Sequence, residues 1–478
     1  MDLSPIYFIA WVLPALVGSG VWVALRGSVR TAGDACSAIG FGWLIGVFLA
    51  AECARLAAKT NTAYAFATTW PWLAAIGVAA WIVAIVRIRR SPMTASAKEP
   101  RPHIALRVVW WLLLLWIVVR LLTVGEEASL RPVFPWDAWS AWSTKPKTWF
   151  ILGHYEPYVS MLDWLSHPKD ALRTAASWSY PETLAWVQLW FASAAQYWNE
   201  PLVDVAWCGA LAAFALAAYG CWRAIGLGAW IAIALVYGLV SLPLIDAHVA
   251  LAGYADLWVA VTLGLATLAF SRWLILGERG QWALAIALAL LLPAIKLEGL
   301  VWLLAFGAVV IVDAVRRRRR SRAVLVAGGV LAAVALVAAI GALTFSWNQI
   351  EVPSVGTFAF SWHGVGGAML ASLFTLPNWH LLWYLVPVLL VARRQRLRGD
   401  RAARLIGLML LIDFGFLFGL FFLTTASAWA QDFTSANRLI LQLVPSVFVL
   451  AAVLLRPVAA SAADRDTAIP SVAPRVPA

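Results

Sequence analysis

Residues 135–147 read Pro-Trp-Asp-Ala-Trp-Ser-Ala-Trp-Ser-Thr-Lys-Pro-Lys. One carboxylate, Asp137, sits among tryptophans, and two cations, Lys145 and Lys147, follow on a proline-broken segment. Ionisable groups beside apolar walls have altered proton affinities, so the three charges together are candidates for chemistry. For the tryptophans alone a simpler reading is preferred: on a helix Trp136 and Trp139 share a face, and indole rings favour the membrane–water boundary. Further along stand Asp246, His248, Asp256, Lys296, Glu298 and Arg438, each at the edge of an apolar run.

The rest of the chain must hold these groups in place. Of 478 residues, 63% are hydrophobic and 13% charged. Spanning a bilayer takes about 20 mainly apolar residues, and such runs recur near 5–25, 36–57, 68–87, 105–124, 182–198, 203–222, 228–245, 255–275, 281–295, 298–315, 323–345, 380–392, 404–424 and 438–455. The fold expected is an all-α polytopic membrane protein with about 13 transmembrane helices. The net charge of +12 does not indicate nucleic acid, because the arginines gather in short loops: Arg87 to Arg90, Arg316 to Arg322 and Arg393 to Arg404. That is the positive-inside pattern. The four cysteines form no C-x-x-C pair, so neither a zinc site nor a disulfide framework is indicated. The start of the chain lacks the marks of a removable signal peptide, and the tail 456–478 is expected to be a disordered cytoplasmic segment.

With the arginine clusters inside, 125–181 becomes a first outer loop, expected to carry interfacial helices, and 346–379 a second. Arg223, Arg272 and Arg279 also prefer the inside, and parity then requires that one run fail to cross. The run 182–198 is short and carries Gln188 and Gln196, so it is expected to be re-entrant or interfacial. On this topology Asp137, Lys145, Lys147, Asp246, His248, Asp256, Lys296, Glu298 and Arg438 all fall on the outer face. Charges at membrane depth are expensive and usually face a cavity or a partner, so a polar site is expected there.

The run Trp136-Asp137-Ala138-Trp139 with Lys145 and Lys147, after an early span, resembles the first outer loop of GT-C superfamily glycosyltransferases. The similar branch includes protein O-mannosyltransferases and the lipid A aminoarabinose transferase. Other segments agree in order: Tyr180-Pro181, Gly253-Tyr254-Ala255-Asp256, Lys296-Leu297-Glu298-Gly299 and Arg438. The resemblance covers roughly 105–455, so 101–455 is expected to be a GT-C-like membrane catalytic core. It departs at Glu182, where a second proline is expected, and at 1–100, which adds transmembrane helices of unassigned role. No large soluble C-terminal domain follows, so an acceptor would be recognised by the membrane core and its loops.

The resemblance implies an inverting hexosyl- or pentosyltransferase at the outer face of the cytoplasmic membrane. It would move a sugar from a polyprenyl-phosphate carrier to a hydroxyl of a glycan, lipid or protein. Asp137 would be the general base, with a proton affinity raised by partial desolvation. Lys145, Lys147 and Arg438 would clamp the donor phosphate. Trp136 and Tyr180 could stack on sugar or carrier. Asp256, Lys296 and Glu298 would orient hydroxyls or, for the carboxylates, bind a divalent cation; equally, they could only neutralise one another. His248 with Asp256 is a weak metal candidate, since ligand sets need three or four groups.

The main alternative is a transporter or flippase of lipid-linked saccharide. Transporters often show internal repeats and midplane polar groups. No clear repeat is visible here, and the charges gather at one face. A different lipid-linked saccharide ligase would lean on outer arginines, of which Arg131, Arg173 and Arg438 are few.

Overall fold

The computed structural model describes residues 5–60, 65–90, 103–168, 170–316, 329, 344–352 and 355–457. Helices dominate. In chain order they are α1 (Pro5–Arg26), α2 (Ala32–Lys59), α3 (Phe66–Arg90), α4 (Ile104–Leu130), α5 (Thr144–Leu152), α6 (Met161–Ser166), α7 (Thr183–Ala195), α8 (Glu200–Ala224), α9 (Ala229–Val240), α10 (Pro243–Ala250), α11 (Asp256–Leu276), α12 (Arg279–Ile295) and α13 (Gly299–Arg316). After 329 come α14 (Gly366–Leu370), α15 (Leu382–Ala392), α16 (Arg394–Gly399), α17 (Arg401–Leu423), α18 (Ser427–Gln431) and α19 (Ser435–Leu455).

Among the described residues nine helices are long and apolar enough to cross a membrane: α1, α2, α3, α4, α8, α11, α13, α17 and α19. The number becomes ten if α9 and α10, bent by 59° at Ser241-Leu242, are one broken span. Pro243 explains the bend, since a proline is welcome in a first helical turn but cannot continue the helix before it. The expected runs at 281–295 and 380–392 form α12 and α15, which are shorter than a full span. The run 323–345 and most of the tail 456–478 lie outside the described residues. The chain is therefore a mainly helical, multi-pass membrane protein. Its lipid-facing surface is apolar, as α4 illustrates with exposed Trp111, Leu112, Leu115 and Leu122.

The bundle has two polar ends. At one, the last turns of α1, α3 and α8 place Arg26, Arg87 and Arg223; Arg272 and Glu278 stand beside Asp34 there. Helices α11 and α19, the most enclosed of the spans, run from that end to the other. There α11 begins with Asp256 and α19 carries Arg438 in its first turn.

Helix α7 begins and ends at this second end. Tyr180, three residues before it, lies within the electrostatic reach of Glu298, Asp137 and Arg438. Gln196, just after it in a left-handed turn (φ 66°), lines a cleft with Ile6 and Phe66, at the starts of α1 and α3. Thirteen residues make about 20 Å of helix against a hydrocarbon core of about 30 Å. The expectation that 182–198 does not cross agrees with this geometry.

The first three helices are built into the bundle. A side chain at Gly40 of α2 would collide with the Ala213 carbonyl of α8, and one at Gly220 with the Gly33 carbonyl. Small residues permit this close helix crossing. A ladder of indoles continues inward: Trp11 and Trp43 at 5.5 Å, Trp43 and Trp258 at 6.2 Å, Trp258 and Trp207 at 5.7 Å between centroids. Many of the tryptophans are thus core, not interface anchors.

The mainly helical chain carries a little sheet in the segments between its helices. β1 (Tyr158–Val159) and β2 (Arg173–Thr174) pair in parallel. β3 (Thr344–Ser346), β4 (Gln349–Val352) and β5 (Gly356–Ala359) form a small antiparallel sheet. It adjoins the end of α17 through a bridge between Phe360 and Thr424.

Candidate active site

Asp256 is the centre of the polar end. It starts α11, is fully buried, and its carboxylate is saturated by nitrogen donors. Lys296 Nζ donates to Oδ1 at 2.9 Å and Gln442 Nε2 to the same oxygen at 2.7 Å. Arg438 reaches Oδ2 with Nε at 3.1 Å and Nη2 at 3.0 Å. A buried carboxylate is tolerated only when paired and hydrogen-bonded, and here every partner is supplied. Trp302 Nε1 donates to Gln442 Oε1 at 2.6 Å and fixes which end of that amide faces Asp256.

From this centre the two cations reach outward. Lys296 Nζ lies 3.0 Å from Glu298 Oε1. Arg438 Nη1 donates to Asp137 Oδ2 at 2.6 Å. The network reads Glu298–Lys296–Asp256–Arg438–Asp137. Its ends are open, with the side chains of Glu298 and Asp137 32% and 40% exposed, while its middle is closed. Arg438 also lies over the Tyr254 ring, 4.3 Å from the centroid. This contact fixes the plane of the guanidinium.

Local backbone features explain the convergence. Lys296 and Glu298 flank the break between α12 and α13, after Pro293. Gly299 lets α13 begin against the end of α12, because a side chain there would collide with the Leu292 carbonyl. Gly253 has φ 108°, in the left-handed half of backbone space, and a side chain on it would meet the Ala138 methyl at 2.5 Å. The Gly253-Tyr254 loop therefore docks directly on the π-helical turn Ala138–Trp142 that follows Asp137. Trp207 Nε1 holds the Tyr254 carbonyl at 2.7 Å.

Five expected site residues come together: Asp137, Asp256, Lys296, Glu298 and Arg438. The lysines of the tryptophan loop do something else, which corrects the phosphate clamp expected of them. Lys145 is buried and donates to the carbonyls of Trp178 at 3.0 Å and Tyr180 at 2.8 Å, so it ties the loop to the entry of α7. Burial pushes its ammonium down to about 8, against the opposing pull of Glu182. Lys147 pairs with Glu200 Oε1 at 2.8 Å. Tyr180 stacks obliquely on Trp142, centroids 5.1 Å apart, and burial raises its phenol to about 12. Trp136 is exposed, edge-on to Trp139 at 4.7 Å.

The Asp256–His248 metal pairing does not fit. Both Asp256 oxygens accept from nitrogen donors. His248 Nδ1 faces the Leu244 carbonyl at 2.9 Å, and Nε2 is buried without a hydrogen-bond partner. Among the described residues no three His, Cys, Asp or Glu side chains gather as a ligand set. Asp246 pairs with Arg120 of α4 beside a cavity of about 510 Å³ that Arg131 and Glu127 also line.

Sequence reasoning missed Gln442, Trp302 and Arg120, and gave Tyr254 no role beyond its place in the Gly253–Asp256 motif. Gln442 had a signal: it follows Arg438 by four residues and so shares its helical face. Arg120 had one too, as an arginine inside an apolar run. Compared with protein-family models, curated proteins and solved structures, the chain matches none.

Proposed function

We propose that the chain is an inverting glycosyltransferase that moves a sugar from a polyprenyl-phosphate carrier to an acceptor hydroxyl. The reaction lies at the membrane face opposite the arginine-rich loops, outside the cytoplasmic membrane. The observation that carries this reading is the Arg438 bridge. One guanidinium joins a partly exposed carboxylate, Asp137, to a saturated buried one, Asp256, with a second cation 2.9 Å from the latter.

In the reaction the acceptor oxygen attacks the anomeric carbon from the face opposite the phosphate. The new C–O bond forms as the bond to the phosphate oxygen breaks, and the electron pair leaves with the phosphate. The acceptor proton passes to Asp137. Arg438 and Lys296 offer positive charge to the departing phosphate, and Glu298 offers an acceptor for sugar hydroxyls. Lys145 keeps the Asp137 loop in register with Tyr180. No resident metal is required by these roles.

A panel of radiolabelled polyprenyl-phosphate sugars, offered to membranes with and without the protein, tests the reading. Protein-dependent label in a glycan, lipid or protein fraction supports it. Absence of transfer from every sugar counts against it.

One observation favours transport of a lipid-linked saccharide. Asp413, midway along α17, is fully buried, and neither carboxylate oxygen has a hydrogen-bond partner. An unpaired carboxylate at membrane depth is often part of a pathway. Loss of carrier translocation in Asp413→Asn vesicles, with transfer absent in wild type, would favour that second reading.

A further inference from the structure

We infer that Asp137 is a latch on Arg438. It occupies the outward donor of the guanidinium while no anion is bound, and an isoprenoid phosphate displaces it, freeing the carboxylate for the acceptor. The inference rests on the transferase reading for its purpose, though not for its geometry.

The guanidinium is held along one edge. Nε and Nη2 both reach Asp256 Oδ2, and Asp256 is itself immobilised by Lys296 and Gln442. The Tyr254 ring covers one face. Nη1 is the donor left pointing toward Asp137. Asp137 is more loosely held: its side chain does not cap the turn that follows, and it is 40% exposed. A rotation of that side chain uncovers Nη1 without moving any span.

The contact itself holds the base away from its task. While Asp137 Oδ2 accepts from Nη1 at 2.6 Å, that oxygen is turned to the guanidinium and not to an acceptor hydroxyl. A phosphate anion and Asp137 therefore compete for one donor, and arginine binds phosphate oxygens well. The network carries three carboxylates and two cations, so an anion gains room only as Asp137 leaves. Donor binding would then precede release of the base, so that Asp137 turns to the acceptor only when a sugar donor is in place.

The test uses purified full-length protein in nanodiscs, with farnesyl phosphate as lipid probe and inorganic phosphate as free anion. Removing the competitor should tighten binding. Asp137→Asn and Asp137→Ala are expected to bind farnesyl phosphate about tenfold more tightly than wild type, and adding Arg438→Ala should erase that gain. Tightening for farnesyl phosphate alone assigns the anion to a lipid; tightening for both supports displacement by phosphate from either source. In wild type, carbodiimide labelling of Asp137 should rise when farnesyl phosphate is added, a readout that needs no variant. Unchanged or weaker binding in variants that keep the wild-type melting temperature, with unchanged labelling, overturns the latch. Sugar transfer with no tightening removes the latch and leaves the transferase; tightening with no transfer does the reverse.

Discussion

The two ends of the bundle use the same materials to opposite purposes. At the arginine-rich end, Arg272 is fully buried, donates to Glu278 at 3.0 Å, and lies 3.8 Å from Asp34. Arg26 pairs with the same two carboxylates, at 2.8 Å to Asp34 and 3.4 Å to Glu278. Both guanidinium groups lie over Trp22. Two cations meet two acids and the network closes, fastening the α1–α2 turn to the α11–α12 turn. At the other end Arg438 likewise sits between two carboxylates and over an aromatic ring. There the acids outnumber the cations, and the two terminal carboxylates face outward. Saturation and closure make an ion network a fastener; an open terminus leaves a group that can exchange partners.

Substitutions at matched positions can break this contrast. The largest combined effect is expected from Asp256→Asn, which weakens the anchor of both Lys296 and Arg438. Breaking a buried pair costs roughly 3–5 kcal/mol, so both the melting temperature and sugar transfer should fall. A variant with normal transfer would show that Asp256 is not the organising group. Arg272→Met should cost a similar roughly 3–5 kcal/mol in stability, yet the folded fraction should transfer sugar at the wild-type rate per molecule. Activity lost without loss of stability would erase the distinction between the ends. Gly253→Ala forces a side chain into a left-handed backbone and against Ala138, at a cost of roughly 1–3 kcal/mol. Transfer should drop about tenfold with expression retained, since about 1.4 kcal/mol equals a factor of ten. Full activity would mean that the Tyr254 loop does not position Asp137.

The smallest effect concerns Lys145. Its native value of about 8 lies below the ordinary 10.5. Below pH 8 the group is protonated both folded and unfolded, and the burial cost is fully present. Between about pH 8 and 10.5 the folded chain sheds the proton while the unfolded chain keeps it, so stability rises with pH. Melting curves of wild type should show this rise relative to Lys145→Met; parallel curves would contradict it.

Much of the site was legible in the sequence, because membrane topology turns position along the chain into depth. Asp137, Asp256, Lys296, Glu298 and Arg438 could be assigned to one face from arginine counting alone, and they meet there. The expectation that α7 does not cross came from the same parity, and its thirteen residues are short for a span. What could not be read was pairing. Lys147 looked like a free cation until Glu200, 53 residues on, proved to be its partner. Lys145 was expected to clamp a phosphate because nothing local shows that it turns inward to two loop carbonyls. The small sheet at 344–359 was also hidden, since Thr344 and Phe345 close an apolar run that reads as helix. Asp256 likewise invited a metal until three nitrogen donors and a further guanidinium contact proved to occupy its carboxylate.

The most direct measurement is the rate of sugar transfer by purified Asp137→Asn with a carrier shown to work for wild type. Transfer should fall by about 10²–10⁴-fold, the usual contribution of a general base, while melting temperature holds and farnesyl phosphate still binds. Transfer within a few-fold of wild type would contradict the account.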